Sequence, residues 1–240
     1  MERVSTGIKE LDSKLSGGYP GNRVILITGV AGSGKTIFGI HFLYRACQEG
    51  KKCVLIATEE TPEDILYQAR MLGRDLEPYY ENGQLLIERI FESRTERIEG
   101  TRYGFKSEGL EIELPYLADF VPEGTDCVVV DNIGVFTIRL STRKLRDEFD
   151  GLSYILKKKG CTALYIMDEA SYNMTNQLAE YSVYGSIRLL VKENTYLGKM
   201  ERYLYIPKMR STPLSPYTSV FEITSEGIKM DGSGDSEIIG

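Results

Sequence analysis

The chain has 240 residues, of which 42% are hydrophobic, 27% charged and 10% aromatic, which suits one α/β domain and excludes a disordered, fibrous or collagen-like chain. Its 29 Lys and Arg against 35 Asp and Glu leave a net charge of -6, so bulk charge does not bind it to nucleic acid. Apolar runs fall far short of the ~18 residues of a membrane span, Met1-Glu2-Arg3-Val4-Ser5 starts no signal peptide, and Cys47, Cys53, Cys127 and Cys161 form no CxxC pair or zinc-type cluster. The expectation is a cytoplasmic protein with reduced, buried thiols and no membrane attachment.

No internal repeat or low-complexity stretch divides the chain, so residues 1–230 are read as one domain and the Gly/Ser/Asp-rich residues 231–240 as a flexible tail. Short apolar, β-branched runs recur at Val24–Thr28, Cys53–Thr58, Leu85–Ile90, Cys127–Asp131 and Ala163–Met167, the pattern of strands covered on both faces. Helical stripes alternate with them. Ile37, Ile40, Leu43, Tyr44 and Cys47 repeat at helical spacing and stop at Gly50. Thr61-Pro62-Glu63-Asp64 supplies a cap, a first-position proline and early acids ahead of Ile65, Leu66, Ala69 and Leu72. Leu145, Phe149, Leu152, Ile155 and Leu156 form a third stripe, closed by Lys157-Lys158-Lys159-Gly160. Strands alternating with helices predict a mainly parallel, twisted, helix-flanked sheet. Ile187–Val191, Arg202–Ile206, Ser219–Ile223 and Ile228–Met230 follow with turns between them and read as antiparallel strands added at the C-terminal edge. Residues 91–118 and 170–184 are polar, poorly periodic and read as long surface loops.

Between the first strand and the first helix stands Gly29-Val30-Ala31-Gly32-Ser33-Gly34-Lys35-Thr36, which fits G-x-x-x-x-G-K-[ST] at every fixed position. Its glycines let several N–H groups turn towards phosphate oxygens at a helix N-terminus, whose dipole also favours negative charge. Lys35 is expected to reach the β/γ-phosphates and the Thr36 hydroxyl to bind Mg²⁺, with Ile37 next in the nucleotide-contacting set. Cys127-Val128-Val129-Val130-Asp131 ends an apolar strand in an acid, where such folds hold the metal directly or through water. Glu59 and Glu60 follow a strand at the carboxyl edge of the sheet, where open α/β folds bind ligands, and one of them could orient or deprotonate the attacking water. Alternation predicts that only one faces the phosphate, and Glu59 is preferred. The competing reading is that these acids stabilise the helix beginning at Pro62.

Lys208 and Arg210 share a strand face by two-residue periodicity. They could neutralise a transferring phosphate as an arginine finger does, although spacing alone favours a solvated edge strand. His41, the only histidine, lies beside Phe38 and Phe42 and is assigned to packing. Tyr79, Tyr80, Tyr203 and Tyr205 are assigned to packing or interface. Arg139, Arg143, Lys144 and Arg146 form a basic cluster read as a solvated helix start.

Taken together the residues resemble the RecA-like P-loop ATPases, and within them the single-domain relatives of KaiC and RadA. The resemblance spans nearly the whole chain. It rests on Ser5-Thr6-Gly7-Ile8-Lys9-Glu10-Leu11-Asp12 with Gly17-Gly18-Tyr19-Pro20-Gly21, on residues 29–36, and on Thr58-Glu59-Glu60-Thr61-Pro62-Glu63-Asp64. It continues in Asp131-Asn132, Gly160-Cys161-Thr162, Lys208-Met209-Arg210 and residues 221–228. The resemblance implies an ATP- and Mg²⁺-binding core that assembles as a ring, usually hexameric, with ATP between neighbouring subunits. Glu59 and Glu60 match the acidic pair that activates water. Lys208 and Arg210 match the basic residues that reach the neighbour's γ-phosphate, and Met71, Thr212, Thr224 and Ser225 fall where relatives contact the nucleotide. The chain departs from the pattern in three places. It carries one domain where KaiC carries two, Ser211-Thr212-Pro213-Leu214 stands where the family often reads Gly-Ser/Thr-x-His, and Met167-Asp168-Glu169 stands where Ser or Thr is common.

The expected activity is therefore ATP hydrolysis by a head-to-tail ring or filament. Two alternatives stay open. One is a nucleotide-dependent regulatory binding module with little hydrolysis. The other is a DNA-binding recombination or repair ATPase whose pore loop would use Arg94, Arg97, Arg102, Tyr103, Phe105 and Lys106, cations offset by Glu92, Glu96, Glu99 and Glu108. A P-loop kinase is a weaker option, since no acceptor pocket can be read.

Overall fold

The N-terminal signature folds on itself before the main sheet begins. Asp12 accepts hydrogen bonds from Ser5 Oγ at 2.6 Å and from the Thr6 amide at 2.7 Å, which fixes the turn leading into α1 (Lys9–Lys14). Strands β1 (Arg3–Val4) and β2 (Tyr19–Pro20) then close this segment as an antiparallel pair.

The computed structural model describes residues 1–90, 113–137, 140–169, 173–195 and 198–236. Among them, nine further strands form one sheet: β3 (Val24–Gly29), β4 (Cys53–Ala57), β5 (Leu85–Arg89), β6 (Cys127–Asp131), β7 (Thr162–Asp168), β8 (Gly185–Asn194), β9 (Lys199–Met209), β10 (Thr218–Thr224) and β11 (Gly227–Ser236). Their order is β11-β10-β9-β8-β3-β7-β6-β4-β5. Strands β3 to β7 pair in parallel, and β3, β4, β6 and β7 are buried along nearly their whole length, because helices cover both faces. Ile187–Val191, read as an antiparallel edge strand, instead lies in β8, parallel to β3 and antiparallel only to β9. The element before β8 explains this. Part of the expected 170–184 loop is helix α6 (Asn173–Ser182), on which Leu178, Ala179 and the following Val183 are the apolar residues packed on the core among the described side chains, a thin stripe to read from sequence. A helix there makes an ordinary crossover into a parallel strand.

One face of the sheet carries α2 (Lys35–Gln48) and α3 (Pro62–Met71), and the other carries α5 (Thr142–Lys158), α6 and a 3-10 segment at Leu114–Phe120. The last lies partly within the expected 91–118 loop. Short α4 (Glu77–Glu81) precedes β5. Helix α2 is buried more fully than its stripe predicted: Phe38, His41, Phe42 and Ala46 are inside, while Ile37 and Tyr44 are only partly buried. The cause is a second cover, since the N-terminal segment and the β10–β11 hairpin pack on its far side. Phe38 meets Phe221 edge-on at 5.5 Å and Phe42 meets Tyr19 at 5.4 Å.

His41 joins these covers, as a packing residue with two hydrogen bonds. Its Nε2 accepts from the Ile228 amide at 3.0 Å, so Nδ1 carries the proton and donates to the Gly7 carbonyl at 3.2 Å. No β-carbon fits at Gly227 against the imidazole. Strand β11 continues through Ser236, so pairing with β10 runs beyond residue 230, where the sequence suggested a tail. All four cysteines are free and buried, and no helix among the described residues is long and apolar enough to cross a membrane.

Candidate phosphate and metal site

At the carboxyl end of β3 the chain turns through residues 29–34 into α2. Gly29 must lack a side chain, because a β-carbon there would lie 2.6 Å from Ser33 Oγ and 2.7 Å from the Leu189 carbonyl. Gly34 caps α2 in the left-handed region, with φ 99°, and contributes no side-chain hydrogen bond. The first turn of α2 also holds no acid. Its positive end therefore carries no acid of the helix's own and suits an anion. Ser33 Oγ is buried with no hydrogen-bond partner, a donor that a phosphate oxygen would satisfy. Residues Gly29 to Ile37 thus fit a bound polyphosphate by their backbone shape and by this orphaned hydroxyl.

Thr36 Oγ1 donates to Asp131 Oδ2 at 2.7 Å, bringing the two expected metal residues together from α2 and β6. Burial first, then the negative charges of Glu60 and Glu59, push the Asp131 carboxyl up to about 6, against the Thr36 hydrogen bond and the Lys35 charge. A divalent cation held by Thr36 and Asp131 would relieve this repulsion. Glu59 and Glu60 border one cleft with Thr36, Leu55, Ala57, Ile65 and Asp131. The alternation expected to turn one of them away fails because β4 ends at Ala57 and the backbone bends through 58–60. They differ in their partners. Glu60 Oε2 accepts from Gln68 Nε2 at 2.7 Å, and burial raises its proton affinity, whereas the more exposed Glu59 accepts from Asn132 Nδ2 at 3.4 Å.

Three residues that sequence reasoning left without a role stand in this site. Asp168, at the end of β7, pairs with Lys35 Nζ at 2.6 Å. Asn132 Nδ2 donates to Asp168 Oδ2 at 2.6 Å. Arg202 of β9 extends Nη2 to the Gly32 carbonyl at 3.4 Å, while its buried Nε has no hydrogen-bond partner. Asp168 and Asn132 were detectable in principle, since both close strands at the ligand-binding edge. Nothing local marks Arg202, which arrives from an antiparallel strand far along the chain.

The residues expected from resemblance divide between the two ends of the sheet. Met71 ends α3, and Gly73, two residues on, lies against the Ser225 carbonyl. Ile223, which precedes Thr224, reaches Gly34. Thr224 and Ser225 therefore lie next to a residue that reaches the phosphate loop, with the end of α3 beside them. Lys208, Arg210 and Thr212 do not. Lys208 is opposite Ser186, itself opposite Leu26, and the Arg210 amide donates to the Tyr184 carbonyl near the start of β3. At ~3.3 Å per residue, Arg210 lies roughly 16 Å from the level of Gly29 along the strand axis.

The solvated-edge reading of Lys208 is also corrected. Its Nζ donates to the Glu180 and Tyr181 carbonyls at 2.6 and 3.2 Å, compensating the negative C-terminal end of α6. Burial and then Arg210 lower its proton affinity. Arg210 lies over the Tyr184 ring at 5.9 Å and Thr212 accepts from Arg3 at 3.0 Å. Of the basic helix start, Arg146 faces Asp150 at 3.7 Å. Arg139 and the cationic residues 94–106 lie outside the described residues.

Comparison with known proteins bears on the family and the fold. The chain is 31% identical over 236 residues to a UPF0273 protein of Methanopyrus kandleri, covering 96% of this chain and 92% of that one. It is 32% identical over 231 residues to the circadian clock protein KaiC2 of Synechocystis, covering 95% of this chain but only 40% of that longer protein. A crystal structure of a KaiC-like protein from Pyrococcus horikoshii superposes with a TM-score of 0.75 at 27% identity, covering 96% of this chain and 99% of that one. Residues 4–234 match the family described as "ATPase: KaiC", and with the phosphate loop, strand order and edge strands in place, the chain belongs to the KaiC family of RecA-like ATPases.

Proposed function

We propose that the protein hydrolyses ATP as a head-to-tail ring or filament in which each site is shared by two subunits. The observation that carries this reading is the separation of Lys208 and Arg210 from the phosphate loop of their own chain. Cations at one end of a subunit and a phosphate site at the other form a heterologous contact, which closes into a ring or extends as a filament.

In this reading residues 29–37 hold the polyphosphate, flanked by Met71, Thr224 and Ser225. Thr36 and Asp131 hold Mg²⁺, which when bound would counter charge on the β/γ-phosphates. Lys35 faces the same oxygens. Glu59 or Glu60 orients a water and accepts its proton. Lys208 and Arg210 of the neighbouring subunit, with Thr212 beside them, oppose the charge that develops as the terminal phosphoryl group leaves.

The test is phosphate release from ATP across a range of protein concentrations, with molar mass measured by light scattering at each point. Specific activity that climbs with assembly is expected. Activity independent of assembly would place a complete site within one chain and remove Lys208 and Arg210 from catalysis. Tight ATP binding with negligible phosphate release would favour the regulatory module, and stimulation by single-stranded DNA would favour the recombination or repair reading.

A further inference from the structure

Lys35 makes three contacts. Its Nζ donates to the Gly29 and Val30 carbonyls, both at 3.0 Å, and pairs with Asp168 Oδ1 at 2.6 Å. An ammonium group has three protons, so this one is saturated before any phosphate arrives. Engaging a phosphate requires that it release an acceptor. The two carbonyls belong to the loop itself and move with Lys35. Asp168 comes from another strand, and its side chain is 49% exposed against 9% for Lys35, so it is the contact free to leave.

Asp168 also has somewhere to remain. Asn132 is buried and its amide is oriented, with Oδ1 accepting from the Gly134 amide at 2.8 Å. The Asn132 backbone amide donates to Thr58 Oγ1 at 2.8 Å. Its Nδ2 therefore faces Asp168 at 2.6 Å and Glu59 at 3.4 Å. A carboxylate released from Lys35 stays on Asn132, an anion beside the space that the phosphates enter.

We infer that Asp168 is a positioning residue for Lys35 that competes with nucleotide phosphate for its ammonium group. This rests on the reading of residues 29–37 as a nucleotide site. Phosphate binding exchanges one anion for another on Lys35 and leaves the first nearby, so the contact that steadies the nucleotide-free loop weakens nucleotide binding. A neutral side chain at 168, such as the Ser or Thr common in resembling sequences, would lack this competition. Through Asn132, the displacement also reaches Glu59.

Equilibrium titration of the full chain with a fluorescent ATP analogue and Mg²⁺, paired with thermal unfolding without nucleotide, tests the inference. The near-isosteric D168N and the smaller D168S are expected to bind the analogue about tenfold more tightly and, without nucleotide, to unfold about 2–4 °C lower. The opposite signs matter, because general damage to the fold would weaken both. E169Q removes the charge of an exposed neighbour and should change neither quantity. In steady-state hydrolysis the D168N effect should fall on KM more than on kcat. Unchanged or weaker binding by both Asp168 variants, with wild type binding and K35A not, overturns this inference alone. If wild type fails to bind, or K35A binds as well as wild type, the nucleotide site itself is wrong and the inference falls with it.

Discussion

Thr36 Oγ1 and Asp131 Oδ2 meet at 2.7 Å between the first turn of α2 and the end of β6, joining residues 95 positions apart in the sequence. The Asp131 carboxyl, raised to about 6 by burial and by two neighbouring glutamates, is a poor anion in the ligand-free fold. An acid whose folded pKa exceeds its unfolded value destabilises the fold wherever it is ionised, and that loss fades as pH falls through the folded value. D131N keeps an oxygen for the Thr36 hydroxyl and removes the charge. It should raise ligand-free stability at pH 8 by on the order of 1–2 kcal/mol, with the gap from wild type narrowing between pH 6 and pH 4. It should also lose the additional thermal stabilisation that Mg²⁺ gives wild type with ATP. Denaturant unfolding against pH and melting with and without Mg²⁺ check both parts, and a D131N protein less stable than wild type at pH 8 contradicts the electrostatic account.

Lys208 and Arg210 separate by the same geometry that groups them. Lys208 caps α6 through two carbonyls, so K208A should lose about 0.5–1 kcal/mol of stability as well as activity. Arg210 is exposed over Tyr184, so R210A should fold as wild type, bind ATP normally and lose roughly 100-fold or more in kcat. Mixing R210A with a double variant, E59Q and E60Q, should restore activity, because some junctions then pair an intact glutamate site with an intact Arg210. Mixtures no more active than either variant alone would rule out action across subunits.

What was legible in the sequence follows from how local each signal is. Residues 29–36 and Asp131 are read from short segments whose chemistry and strand ends coincide, and the fold brings Thr36 and Asp131 into contact. The parallel strands stand out because burial on both faces makes them continuously apolar. Helix α6 is hard to read because, among the described side chains, Leu178, Ala179 and Val183 mark its inner side, and the parallel placement of β8 follows from it. Asp168 looked like a departure from a polar pattern. Its pairing with Lys35 depends on β7 lying beside β3 in register, Gly29 opposite Asp168, which no stretch of sequence contains.

Arg202 carries a further expectation about the phosphate loop. Its guanidinium reaches the Gly32 carbonyl from β9, placing a fixed positive charge beside the turn on the same subunit, unlike Lys208 and Arg210. R202A should raise KM for ATP several-fold, leave kcat within about twofold, and weaken ATP binding equally in dilute and assembled protein. R202K, which retains charge but loses the planar fork, should fall between. An R202A effect confined to kcat would make Arg202 a group that acts only in the transition state.

His41 should make the fold sensitive to acid. Burial, opposed by the Gly7 hydrogen bond and aided by the Arg74 charge, holds its pKa down to about 4 from the ordinary 6.5. The neutral ring is the one the fold needs, since Nε2 must accept from the Ile228 amide. A base whose folded pKa is depressed contributes stability that is complete above its unfolded pKa and disappears as pH falls towards the folded value. This residue should therefore account for about 3 kcal/mol of stability lost between pH 6.5 and pH 4. H41A removes that pH-dependent contribution while leaving the Ile228 amide and Gly7 carbonyl without their buried partner, at a cost of about 2–4 kcal/mol at pH 7.5. Unfolding at pH 7.5 and pH 5 should show a smaller difference for H41A than for wild type. Equal differences would move the acid sensitivity to other groups and leave His41 with packing alone.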